Sequence, residues 1–138
     1  MGARETVLLV DAANVVGSRP DGWWRDRAGA AARLLGRLAA LPGRTLAGPG
    51  GAPVHLAAVV VVVEGAARDV PAPEPLTVVR APGSGDDALA ERAAALGDGV
   101  LVVTADRGLR ARLPPGAAVT GPRWLLAALE EVVPPGCA

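Results

Sequence analysis

No lysine occurs in this chain, so every one of its 14 basic residues is an arginine. Walker-type phosphate binding, Schiff-base catalysis and receiver-type phosphotransfer normally use a lysine and are disfavoured together. Phenylalanine and tyrosine are also absent, leaving three tryptophans in a sequence that is 51% hydrophobic. The core must therefore be built from Ala, Val and Leu, which suits tightly layered helices and sheets. Acidic residues also number 14, so there is no net charge. Without a global basic field, any nucleic-acid contact has to be local. The lone cysteine, Cys137, excludes a disulfide framework and a cysteine zinc site, and it fits a reduced, cytoplasmic setting. The longest strongly apolar run, Leu56 to Val63, is far short of the ~20 residues that span a bilayer. Arg4 and Glu5 lead straight into a strand pattern without the apolar stretch of a signal peptide. Neither membrane contact nor export is expected.

The length of 138 residues fits one domain over the whole chain. Thr6 to Asp11 is a β-branched and Leu run that ends in a carboxylate and reads as a buried strand. Trp23 to Leu41 has Leu34, Leu35, Leu38 and Leu41 at helical spacing, and Pro42-Gly43 stops it. A Gly/Pro-rich loop, Pro42 to Pro53, leads to the second strand, Val54 to Val63. Ala66 to Pro75 holds three prolines and cannot form a regular helix; Leu76 to Arg80 is a short third strand at a sheet edge. Ser84 to Asp87 opens a helix over Ala88 to Leu96, with acids in its first turn where the helix dipole favours them. Strand four (Val100 to Thr104), a short helix (Asp106 to Leu113), strand five (Ala117 to Thr120) and a closing helix (Pro122 to Val133) complete the pattern. Strands joined by helices and long crossovers imply an α/β fold, a three-layer α/β/α sandwich around a mostly parallel five-stranded sheet. In such sheets the functional site lies beyond the carboxyl ends of the strands.

The acids fall on that edge. Asp11 ends strand one, Glu64 follows strand two, Asp86 and Asp87 begin the helix after strand three, and Asp106 lies just past strand four. Each of the last four has an ordinary reading as a helix-start acid, a cap or a solvated strand end. Asp11 does not, because it follows four apolar residues at the end of a central strand and needs a partner there. Converging carboxylates repel unless a cation neutralises them, and no Lys or His is placed to do so. An all-oxygen site favours Mg²⁺ or Mn²⁺ over zinc, and such ions serve in-line attack on phosphorus.

Four segments carry a resemblance to the PIN-like superfamily, and within it to the NYN domains of YacP-like type. VLLVDAANVVG (Val7 to Gly17) resembles the opening strand with its metal-binding Asp and an Asn three residues on. VVVVVEG (Val59 to Gly65) resembles the second strand with its terminal acid, and GSGDDALAE (Gly83 to Glu91) the acidic helix start. VLVVTADRGLRARL (Val100 to Leu113) is similar to the strand, Thr/Ser-x-Asp turn and helix, the most specific of the four. The resemblance implies a metal-dependent ribonuclease with strand order 3-2-1-4-5, RNA as partner and Mg²⁺ or Mn²⁺ as cofactor. Asp11, Asp86 and Asp106 would be the catalytic metal ligands, with Glu64 and Asp87 as secondary ligands. Asn14 would orient Asp11 or bond substrate, and Thr104 would support the turn presenting Asp106. Two departures stand out: Ala12-Ala13 replaces Gly and an aromatic, and Glu64 replaces Asp.

Arg107 and Arg110, with Arg112, follow Asp106 closely enough to hold a phosphate, against the simpler reading of a solvated helix face. Trp23-Trp24 stands near the expected site mouth, where an indole could stack on a base; burial of one indole in the core is the readier reading. His55, at the far end of strand two, reads as structural. A phosphatase with Asp11 as nucleophile would want an acid at position 13, which is Ala, and neither Ser18 nor Ser84 sits in a serine-hydrolase elbow. The serious alternative is a catalytically weak PIN-like module that binds RNA or a protein; a homodimer is also left open.

Overall fold

A computed structural model of the chain describes residues 2–19 and 22–132. Cys137 and Val133, the last residue of the expected closing helix, lie outside the described residues. Strand β1 (Arg4–Asp11) runs directly into a short helix, α1 (Ala12–Gly17), which the sequence reading does not anticipate. Asp11 makes that junction by accepting the Asn14 amide at 3.2 Å, so the strand-end acid is also a helix cap.

The helix expected over Trp23 to Leu41 is shorter. Trp23–Arg25 form a 3-10 turn, and α2 (Arg27–Leu38) starts where the Asp26 carboxylate accepts the Gly29 amide at 2.9 Å. The Gly/Pro loop contains a further strand, β2 (Thr45–Ala47), ahead of β3 (Pro53–Val63). After a 3-10 turn at Gly65–Ala67 come β4 (Thr77–Arg80), α3 (Gly85–Leu96), β5 (Val100–Val103), α4 (Arg107–Arg112), β6 (Ala118–Thr120) and α5 (Pro122–Val132). Ser84 caps α3 and Asp106 caps α4, each through its side-chain oxygen.

The sheet has six strands, not five, in the order β2-β3-β1-β5-β6, with β4 joined to β3 off that path. Strands β4, β3, β1, β5 and β6 pair in parallel, while β2 runs antiparallel along the first residues of β3. The strand missed in sequence is three residues long and none of its residues is buried, so it carries no apolar run to reveal it. His55 sits in this added ladder, where its Nδ1 meets the Thr45 hydroxyl at 2.9 Å, which gives it a structural role.

Both faces of the sheet are covered. Leu8, Val10, Val59, Val61, Val63, Leu101 and Val103 pack with α1, α2 and α5 on one face. Leu9, Val60, Val62, Val100 and Val102 pack with α3 and α4 on the other. The alternation follows from the two-residue period of a strand, and burial on both faces explains the unbroken apolar runs. The β1–β3 register shifts once, between Thr6 and Val7, where Leu56 and Ala58 are the successive partners and Ala57 is the extra residue.

Candidate functional site

The acidic residues lie along the carboxyl edge of the parallel strands, each with partners of its own. Asp11 is only 6% exposed, and Thr104, just past the end of β5, is wholly buried. The Thr104 hydroxyl donates to Asp11 Oδ2 at 3.0 Å and accepts the Asp106 amide at 3.2 Å. One buried hydroxyl thus joins two of the three central acids named from sequence. Asn14 completes the link: its side-chain oxygen accepts the Ala105 amide at 2.8 Å, tying α1 to the turn that carries Asp106.

Burial pushes the Asp11 carboxyl up from 3.8 to about 6. The Asn14 amide and the Thr104 hydroxyl pull it back down, and the charges of Glu64 and Asp86 push it up a little further. Asp11 therefore feels Glu64 and Asp86 as repelling carboxylates.

The placement of the acids is less closed than the sequence expectation. Among the described residues, no three Asp, Glu, His or Cys side chains stand where they could hold one ion. The local partners give the reason. Asp106 Oδ1 accepts the Leu109 amide at 2.9 Å as the cap of α4. Asp87 is drawn off by Arg112, whose Nη2 stands 2.7 Å from its Oδ1, and both side chains are well exposed. Glu64 Oε2 accepts the Gly85 amide at 2.7 Å, the first residue of α3. A Cβ at position 85 would lie 3.2 Å from Glu64 Oε1, so glycine there lets the strand-end acid reach the helix backbone.

The arginines divide. Arg110 donates through Nε and Nη2 to the Thr104 carbonyl at 3.0 and 2.7 Å, so these N–H groups brace the turn. Arg107 stands exposed in the first turn of α4. Sequence reasoning missed the Glu64–Gly85 bond and the Arg110 clamp; both join a side chain to a distant backbone group, which spacing does not encode.

Trp23 packs partly buried against the core beside α1 and α2, whereas Trp24 is 56% exposed. A cavity of about 320 Å³ lies at this end of the molecule, lined by Ala12, Ala13, Trp23, Arg27, Val63 and Glu64 among others. No helix among the described residues is long and apolar enough to cross a membrane.

Neither a family model nor a curated protein matches the chain. Solved structures do. Rae1 (YacP) from Bacillus subtilis superposes with a TM-score of 0.66 at 21% identity, covering 91% of this chain and 74% of that one. A tryptophan-to-leucine mutant of the same protein gives 0.65 at 21% identity over 92% and 76%. The chain therefore has a YacP-like fold.

Proposed function

We infer that the chain is a divalent-metal-dependent endoribonuclease of the PIN-like, NYN type, hydrolysing phosphodiester bonds in RNA at the acidic edge of its sheet. The observation that carries this reading is buried Asp11, a carboxylate at the end of a central strand held beside Glu64, Asp86 and the Thr104–Asp106 turn. A scaffold gains nothing from gathering charges that repel. The fold likeness adds support, because the resemblance read from four sequence motifs and the superposed structures point to the same family name, YacP.

In this reading Asp11, Asp86 and Asp106 would supply the carboxylates for Mg²⁺ or Mn²⁺, with Glu64 next to them and Asp87 at the margin, and they would have to draw together to do so, since no three of them surround one ion as they stand. When bound, such an ion stabilises charge at phosphorus and activates water. The protein's own residues do the rest. Thr104 keeps Asp11 and the Asp106 turn in fixed relation, Asn14 ties that turn to α1, and Arg107 offers a guanidinium to a phosphate. Above about pH 6 the Asp11 carboxyl is ionised.

The test is RNA cleavage with Mg²⁺ or Mn²⁺ by wild type and Asp106→Asn. Asn remains a good helix cap, so α4 survives, while the charge is lost. Cleavage is expected to fall about a hundredfold or more, and RNA affinity to hold or rise. A second reading, an RNA- or protein-binding module, is favoured by one observation: Asp106 and Asp87 already have partners of their own. Equal cleavage by wild type and variant would make that the better reading.

A further inference from the structure

Aromatic and cationic groups that the proposed hydrolysis does not use converge at one place. The indoles of Trp23 and Trp24 meet edge to face, with ring centroids 6.2 Å apart and an interplanar angle of 86°. Each has an arginine over it: Arg27 at 5.3 Å from the Trp23 centroid and Arg25 at 5.9 Å from that of Trp24. Among the described residues Trp24 is the exposed large hydrophobic side chain, and exposed indole adds nothing to core burial. The pair instead presents indole surface with a guanidinium group over each ring.

Next to this platform opens the cavity of about 320 Å³, walled by Ala12, Ala13, Trp23, Arg27, Val63 and Glu64 together with other small residues. Two alanines directly after Asp11 leave the space that larger side chains would fill. The volume is at the small end of ligand pockets, which run from about 300 Å³ upward, and suits a single planar ring system. Ala12 follows Asp11 and Glu64 follows β3, so the cavity borders the acidic edge.

We propose that the cavity and the Trp23–Trp24 platform seat unpaired bases of a single-stranded RNA, so that the backbone joining those bases runs over the carboxylate row. The identity of the strand rests on the ribonuclease reading. The base recognition rests on the platform: every base offers a π-face to indole or guanidinium, and the arginines supply local positive charge in a chain with none overall.

Binding of a short labelled oligoadenylate, measured by anisotropy in EDTA to prevent cleavage, tests this against an abasic strand of the same length. Wild type should bind the base-bearing strand about tenfold more tightly or better. Trp24→Ala, a change at an exposed residue, and Ala13→Leu, which fills the cavity, should each erase most of that difference. Neither should change the abasic affinity or the salt dependence, which phosphate contacts set. Equal binding of the two strands by wild type, or an undiminished difference in both variants, overturns the proposal. So does adenosine monophosphate binding as tightly as the strand, since the strand assignment would then fail. Base-dependent binding without any cleavage supports the platform and sinks only the ribonuclease reading.

Discussion

Asp11 and Asp87 lie on the same edge of one sheet, and burial separates them. On the β1–β5 flank, Asp11 is almost sealed from solvent and hydrogen-bonded to Thr104, a residue far away in the chain. On the α3–α4 flank, Asp87 is exposed and paired with Arg112, and Asp106 caps its own helix. The acids of the second flank have local reasons to be where they are. Asp11 caps α1, but a cap does not require burial of its charge, so the functional argument weighs most on Asp11 and on the hydroxyl that binds it.

The largest expected effect separates the flanks by pH. The Asp11 carboxyl titrates near 6 in the folded chain and near 3.8 when unfolded, so between these values the folded state holds the extra proton. Stability from this group is full below about pH 4 and is lost as pH rises through 6, by roughly 3 kcal/mol. Thermal melts of wild type should fall over that window, and Asp11→Asn should flatten the fall. Millimolar Mg²⁺ or Mn²⁺ should recover part of the loss at pH 7 and little at pH 5. A wild-type melt that rises from pH 4 to 6 in parallel with that of Asp11→Asn would remove the distinction between the flanks.

A middle-sized effect is expected at Thr104. Thr104→Val keeps the shape but leaves Asp11 Oδ2 and the Asp106 amide without their shared partner. Denaturant unfolding should show a loss of about 1–3 kcal/mol, and cleavage should fall with it because the Asp106 turn loosens. The smallest effect belongs to the exposed pair: Asp87→Ala should change stability by less than about 1 kcal/mol and leave RNA cleavage within a few-fold. A large loss of cleavage there would place Asp87 among the central acids.

Sequence reasoning reached the strands because Val and Leu runs buried on both faces are hard to mistake, and it reached the acid positions because they directly follow those strands. It misjudged where helices start, since Asp26 caps α2 from inside the segment read as helix, and Asp11, read as a strand end, also caps α1. The β2 strand was hidden in a Gly/Pro-rich stretch with no apolar alternation. At the site, the pairing of Asp11 with Thr104 depends on β1 lying beside β5, a fact of topology. The engagement of Arg110 with the Thr104 carbonyl was illegible because a guanidinium's target depends on where a turn points in space.

The extra residue in β3 has a consequence for aim. Strict alternation onward from Leu56, which faces α2, would send Val60, Val62 and Glu64 toward that same side. With Ala57 inserted, the odd-numbered valines from Val59 to Val63 take that side instead. Glu64 is thereby swung across the sheet to meet the first amide of α3. A single alanine, with no chemistry of its own, works as a phase inverter that decides which layer the strand's terminal acid addresses.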